Sequence, residues 1–313
     1  MPATAKQTSQ NKLGFMESFF LSGTAAAMSK TSAAPIERMK LLIQNQNELI
    51  RQGKLDRGFS GVKDCATRTL RNEGVLSFWR GNFASVVRYF PQQALNFAFK
   101  DQFQRAFRVS KNASNAEKFS KNILSGGCAG SVSLLFVQSI DYTRTRLAVD
   151  AAKNKAGERQ FKGIVDVYRQ TIAKEGVRGL YRGFVVSCVC IFIYRGLYFG
   201  LYDTLKPVLL GDNAQWALTF LLGWGVTITS GLVAYPIDTV KRRMMMTSGE
   251  GEKVKYRGAM DCVRQVIKNE GAAAMFRGAG VNIVRGVAGA GVLSGFDKFK
   301  KMYVGWKFQQ HKL

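Results

Sequence analysis

Pro35-Ile36-Glu37-Arg38-Met39-Lys40 returns twice in the chain, as Ser139-Ile140-Asp141-Tyr142-Thr143-Arg144 and as Pro236-Ile237-Asp238-Thr239-Val240-Lys241. Each copy sets an acid three residues before a base, and the copies stand roughly 100 residues apart, the mark of an internal repeat. Other elements recur in the same order. Aromatic-x-Gly-x-x-Asp begins at Phe59, Phe161 and Tyr256. A Glu-Gly pair starts at Glu73, Glu175 and Glu270, and an aromatic-Arg-Gly triplet centres on Arg80, Arg182 and Arg277. An acid closes each copy: Asp101, Asp203 and Asp297. Chance produces one such motif, not a set in constant order.

The chain therefore divides into a polar tail (1–12) and three repeats, 13–115, 116–212 and 213–313, the last with a short C-terminal tail. Each repeat predicts two long helices. In repeat 1 they run from about Phe15 to Gln46 and from about Asn82 to Phe107, with a short helix after Gly61 between them. The counterparts fall near 119–149 and 184–208, then near 215–246 and 279–303. Such segments are long enough to cross a bilayer, which takes about 20 residues. Ser22, Gly23, Ala26 and Ala27 allow close helix approach in repeat 1, Gly126, Gly127 and Gly130 in repeat 2, Gly223 and Gly225 in repeat 3. The expected fold is an all-α membrane protein of six transmembrane helices in three pseudo-symmetric repeats. A soluble bundle of six buried helices fits less well, because the helices carry few charged outer faces and many glycines.

Composition narrows the chemistry. In 313 residues, 46 Lys and Arg against 21 Asp and Glu give a net charge of +25. That excess points to polyanions: nucleic acid, anionic lipid or phosphorylated small molecules. The 12% aromatics exclude a disordered basic tail. The sole histidine, His311, rules against His-dependent catalytic units and His-rich metal sites. No enzyme, metal or cofactor is expected. Cys65, Cys128, Cys188, Cys190 and Cys262 show no CxxC spacing and read as reduced thiols. A nucleic-acid-binding protein would be soluble, so no nucleic-acid partner is expected. A mean hydropathy of −0.08 argues against fully apolar spans.

The repeated acid and base resolve that tension. One helical i,i+3 pair is a local contact of about 0.2–0.5 kcal/mol. Three at one membrane depth can pair between neighbouring helices as a ring, because ionised groups at that depth must face each other or water. Proline would bend the helices inward and close that end of the bundle. A second ring follows from Asp203 with Lys206 and Asp297 with Lys300; beside Asp101 the basic position holds Gln104. Two rings imply two alternating gates around a central, water-filled cavity, which accounts for the low hydropathy. Symmetry breaks inside that cavity. Arg88 and Arg285 stand at equivalent depths, where repeat 2 has Cys190 and Ile191. Lys30 lies seven residues before Glu37, roughly 10 Å along the helix. Tyr194, Tyr198 and Tyr202 share one helix face. Cations at one end and a flat apolar surface at the other suit a nucleotide.

Pro-x-[Asp/Glu]-x-x-[Lys/Arg] three times at this spacing resembles the mitochondrial carrier family, and the resemblance covers nearly the whole chain. Arg242-Arg243-Met244-Met245-Met246 after Lys241, Arg88-Tyr89-Phe90-Pro91, and Ala94 to Asp101 are similar to the family members that exchange ADP for ATP. The resemblance implies six transmembrane helices, three short matrix helices and exchange of ADP for ATP by alternating access. It implies Lys30, Arg88 and Arg285 on the phosphates, Ile191 and Tyr194 around adenine beside Cys190, and Asn96 nearby. Arg242 and Arg243 would take part near the matrix gate. There Glu37 would pair with Arg144, Asp141 with Lys241 and Asp238 with Lys40, with Gln44 as a brace. At the cytoplasmic gate Asp203 would pair with Lys300 and Asp101 with Lys206, braced by Tyr202. Gly61, Gly81 and their counterparts precede helix N-termini, whose free amides attract phosphate; the family uses these places for cardiolipin. The implied location is the mitochondrial inner membrane, both termini toward the intermembrane space; the first 12 residues lack a long amphipathic Arg-rich pattern, so no cleaved targeting peptide need be assumed. The three repeats close a bundle in one chain and imply a functional monomer. Four positions depart from the pattern: Cys190 for glycine, Ala234 for serine, Gln104 for a base and Gln138 for tyrosine. They leave room for a carrier of another nucleotide-like phosphate, or a carrier-like structural membrane subunit without transport.

Overall fold

The computed structural model describes residues 15–107, 114–150, 159–210, 216–247 and 256–285. Among these residues there are helices and no strands. Repeat 1 contains α1 (Phe15–Gln44), α2 (Gln46–Arg51), α3 (Val62–Glu73) and α4 (Asn82–Ala106). Repeat 2 contains α5 (Asn115–Val149), α6 (Ile164–Glu175), α7 (Val177–Leu180) and α8 (Phe184–Leu210). Repeat 3 contains α9 (Trp216–Met246) and α10 (Ala259–Glu270), then α11 over 279–285. The remainder of the expected sixth span lies outside the described residues. One boundary differs from the sequence reading: α1 stops at Gln44 rather than Gln46, because Asn45 turns the chain into α2. The Asn45 side-chain amide donates to the Leu41 carbonyl at 2.9 Å, a bond that competes with continued helix.

The helices 116–149, 177–206 and 218–246 are long and apolar enough to cross a membrane. α1 and α4, of 30 and 25 residues, have the length but less apolar character. The polarity of α4 has a place to go, since Arg88 and Gln92 line an internal cavity. Neighbouring helices pack in the order α1, α4, α5, α8, α9. Glycines set the closest approaches. A Cβ on Gly127 would come within 2.1 Å of the Phe192 ring, and one on Gly23 would meet Phe90 at 2.5 Å. A Cβ on Gly130 would meet Ile191 at 3.1 Å. A Cβ on Gly225 would meet nothing within 4 Å among the described residues.

At one end of the bundle the repeats lock in a cycle. Gly81, Gly183 and Gly278 begin α4, α8 and α11 with φ of 80°, 83° and 86°, a region that favours glycine. A Cβ there would meet the carbonyl oxygen of Arg144 at 3.0 Å, of Lys241 at 3.3 Å and of Lys40 at 3.2 Å respectively. Repeat 1 thus abuts the motif of repeat 2, repeat 2 that of repeat 3, and repeat 3 that of repeat 1. Side-chain bonds follow two steps of the cycle, from repeat 1 to repeat 2 and from repeat 2 to repeat 3. Arg80 donates to the Phe161 carbonyl at 2.9 Å and Arg182 to the Tyr256 carbonyl at 2.7 Å. Arg38 donates to the Ala148 carbonyl at 3.1 Å, and Arg146 to that of Met246. The aromatic-x-Gly and aromatic-Arg-Gly elements are therefore joints between repeats.

Candidate functional site

The repeated acids and bases meet at the cyclically locked end. Lys40 Nζ lies 3.0 Å from Asp238, Lys241 Nζ lies 2.7 Å from Asp141, and Arg144 pairs with Glu37. Gln44 Nε2 donates to Asp238 at 3.4 Å and to Thr239 Oγ1 at 2.9 Å, beneath the Lys40 pair. Each pair joins two repeats, so a closed ring needs all three. Lys40 also sits 5.0 Å from the centroid of the Tyr235 ring, whose hydroxyl donates to the Arg277 carbonyl at 2.8 Å.

Each acid holds a second cation that belongs to the cavity above. Arg88 Nη1 lies 2.6 Å from Asp141, Arg285 Nη1 lies 3.4 Å from Glu37, and Arg242 Nε lies 3.5 Å from Asp238. Arg242 also reaches Asp141 at 3.6 Å and Thr145 Oγ1 at 2.5 Å. Asp141 is completely buried. A carboxylate removed from water at that depth is tenable because Arg88, Lys241 and Arg242 surround it. The sequence reading leaves Arg88 and Arg285 free for a ligand; in this structure both are held by ring acids. Asn282 Oδ1 accepts from Arg285 Nε at 3.1 Å and fixes its approach.

Beside the ring two adjacent lobes are both lined by Cys190, Tyr194 and Asp238. The larger, about 490 Å³, adds Arg88, Leu134, Ile191 and Tyr198 among others. The smaller, about 250 Å³, adds Glu37, Arg144, Ala234, Arg242 and Arg285. Cys190 and Ala234, two of the departures, thus both face the cavity. Tyr194, Tyr198 and Tyr202 stack in turn, with centroids 6.4 and 6.0 Å apart, as a continuous aromatic wall. Lys30 lines neither lobe. Its ammonium lies 5.9 Å from the centroid of Tyr89, within electrostatic range of Arg88, Arg144, Arg285 and Asp141. It has no ion pair among the described residues.

The expected hallmark splits by direction. Arg242 faces the ring, whereas Arg243 is fully buried and pairs with Glu270 at 2.8 Å. Met244 is half-buried; Met245 and Met246 are buried. The second ring is mostly beyond view. Asp297 and Lys300 lie outside the described residues, as do the side chains of Asn96, Asp101, Gln104 and Asp203. Of the rest, Lys206 Nζ lies 5.8 Å from the Tyr202 ring centroid.

Arg195 is the residue the sequence reading missed. It lines the larger lobe next to Tyr194 and has no acidic partner among the described residues. A cation inside an otherwise apolar helix, adjacent to a tyrosine already singled out, was the available signal. Asn282 was missed as well, although it stands three residues before Arg285 and so on the same helix face.

The family model described as mitochondrial carrier protein matches residues 11–111, 115–213 and 212–306. The chain is similar to the ADP,ATP carrier protein of Chlamydomonas reinhardtii, 57% identical over 298 residues covering 94% of this chain and 96% of that one. It is 55% identical to ADP,ATP carrier protein 1, mitochondrial, of Triticum aestivum over 312 residues, 98% of this chain and 94% of that one. With ADP,ATP carrier protein 2, mitochondrial, of Arabidopsis thaliana the identity is 56% over 299 residues, covering 94% and 77%.

Proposed function

The chain belongs to the mitochondrial carrier family, and from that premise we propose that it exchanges ADP for ATP across the mitochondrial inner membrane. It is a multi-pass mitochondrial membrane transporter and not an enzyme. The observation that carries the mechanism is the sharing of each ring acid between a partner that shuts the gate and a cation that faces the cavity. Glu37 is shared by Arg144 and Arg285, Asp141 by Lys241 and Arg88, and Asp238 by Lys40 and Arg242.

A nucleotide brings three or four negative charges to Arg88 and Arg285, with Lys30 alongside. Its phosphates compete with Asp141 and Glu37 for those guanidiniums. Each charge-assisted hydrogen bond is worth about 1.5–3 kcal/mol, so moving two of them to the ligand weakens the ring. Ile191 and Tyr194 hold the base, with Cys190 beside it and Asn96 nearby. An empty carrier keeps both arginines on the ring and stays shut, which makes exchange obligatory. Free nucleotide is the substrate, because the protein cations stand where magnesium would. ATP leaving for ADP moves one negative charge outward, and the membrane potential contributes about 2.3 kcal/mol per 100 mV to that step.

The locked ring forms the matrix gate, with both termini toward the intermembrane space. Asp101, Tyr202, Asp203, Lys206, Asp297 and Lys300 form the cytoplasmic gate, one pair short because of Gln104. Cardiolipin sits at the starts of α3, α6 and α10. Gly61, Gly163 and Gly258 there have extended φ and open space around a Cβ, so neither strain nor packing calls for glycine. The carrier works as a monomer.

A thermal-shift panel on detergent-solubilised protein tests the substrate class. ADP and ATP should raise the melting temperature, and excess magnesium should cancel the rise. A larger rise with another phosphorylated ligand would reassign the substrate. No rise with any nucleotide would favour a structural subunit.

A further inference from the structure

The closed end of the bundle contains three separate apolar clusters, and α9 sends consecutive methionines into all of them. Met244 packs against the cluster of repeat 3 around Tyr256, Cys262, Val266 and Met275. Met245 belongs to the cluster of repeat 2, with Tyr142, Leu147, Phe161, Val167 and Leu180. Met246 belongs to a cluster built mostly from repeat 1, Leu42, Ile43, Leu49 and Cys65, joined by Val149 of repeat 2 and Val281 of repeat 3. Helical residues step by about 100°, so three in a row face three directions. Met245 and Met246 are 0% and 2% exposed, so both are fully engaged. The polar contacts of the same turns also span the repeats. Arg242 reaches Asp141 and Thr145 of repeat 2, and Arg146 of repeat 2 donates to the Met246 carbonyl. Arg243 anchors to Glu270 within repeat 3.

We propose that Met245 and Met246 are positioning residues that tie repeats 2 and 1 to the C-terminal turn of α9 and hold Arg242 on the ring acids. Opening this end must separate the three repeats, and the last turn of α9 is what they share. Both side chains must then leave their clusters in the same step. An unbranched thioether suits that duty, since it fills irregular space and repacks at low cost. The proposal rests on the alternating-gate reading above for its transport consequence, but not for its structural one.

Hydrogen exchange on the detergent-solubilised carrier tests the structural consequence without substrate. Met245→Ala or Met246→Ala should raise exchange in α3, α6 and α10 together. Met244→Ala should affect α10 alone. Loosening confined to the cluster that lost its side chain would overturn the proposal. Transport then tests the mechanism. A shut gate weakened by an emptied methionine site should open without ligand. Liposomes preloaded with labelled ADP and carrying the alanine variants should lose it into nucleotide-free buffer about tenfold faster than wild type. Met245→Leu and Met246→Leu, which conserve volume, should retain it. Alanine variants that exchange normally and keep their ADP would overturn the coupling. Should an alanine variant fail to fold, Met245→Val reports the same leak at smaller amplitude, and strict retention by it contradicts the proposal. Wild-type carrier that fails to exchange ADP would instead count against the substrate reading, leaving the hydrogen-exchange result to decide this one.

Discussion

At the scale of single residues the proposed mechanism turns on Arg88, which pairs with Asp141 in this structure and is proposed to pass to the ligand phosphates. With Asp141 also held by Lys241 and Arg242, Arg88→Gln should leave the protein folded. It should still cost about 1.5–3 kcal/mol of ADP binding, seen as a smaller ADP-induced thermal shift and weaker uptake. An unchanged shift would remove Arg88 from the site. Gln138 gives the opposite kind of prediction. It is 0% exposed, and neither of its amide atoms has a hydrogen-bond partner among the described residues. Gln138→Leu removes an unsatisfied buried amide and should stabilise the protein by about 1–3 kcal/mol, read as a higher melting temperature; a lower one would show that the amide is satisfied by water. Much of the site was legible at this scale because charge at membrane depth is informative. Arg88, Arg285 and Lys30 stood out as cations in apolar helices, and the acid-base spacing named the partners. Their attachment to the ring acids was not legible. It depends on side chains from different repeats arriving at one point, which no spacing within a helix encodes. Arg195 escaped for a simpler reason, since it has no counterpart in the other repeats to flag it.

At the scale of elements, the two sets of repeated glycines do different work. Gly81, Gly183 and Gly278 adopt positive φ and abut a carbonyl of the next repeat, whereas Gly61, Gly163 and Gly258 do neither. Alanine at the first set should destabilise the fold by about 1–3 kcal/mol each, measured by thermal unfolding. Alanine at the second set should leave the fold intact in detergent and alter only stabilisation by anionic lipid. Equal effects at both sets would contradict the distinction. The aspartates of the same motif tie the first turn of each short helix back to the residue before its N-cap glycine. Asp64, Asp166 and Asp261 accept the backbone amides of Ser60, Lys162 and Arg257 at 3.1, 3.0 and 2.9 Å. These bonds hold the three carboxyls below the usual aspartate range. A depressed carboxyl stabilises the fold above its unfolded pKa, about 3.9, and the contribution fades as pH falls through the lower folded value. Amide exchange at the starts of α3, α6 and α10 should therefore be insensitive to pH changes above about pH 5, once intrinsic rates are corrected. The sequence showed these elements but not why they recur; only the cyclic contacts reveal them as joints.

At the scale of the whole molecule, a +25 charge first suggested polyanions of any kind. Much of it now has an address: ring bases, cavity cations and joint arginines such as Arg38, Arg80 and Arg182. The near-zero mean hydropathy likewise belongs to helices that share a polar cavity. Threefold sequence symmetry made the architecture legible, and its local failures, Cys190 and Ile191 opposite Arg88 and Arg285, mark the cavity proposed to take the ligand. The central claim is that ligand binding and gate opening draw on the same cations, which forbids movement of an empty carrier. Uptake of labelled ADP into liposomes, with and without internal ADP, tests it most directly. The account predicts rapid uptake into loaded liposomes and almost none into empty ones. Uptake that is absent from loaded liposomes, or equally fast into empty ones, would contradict it.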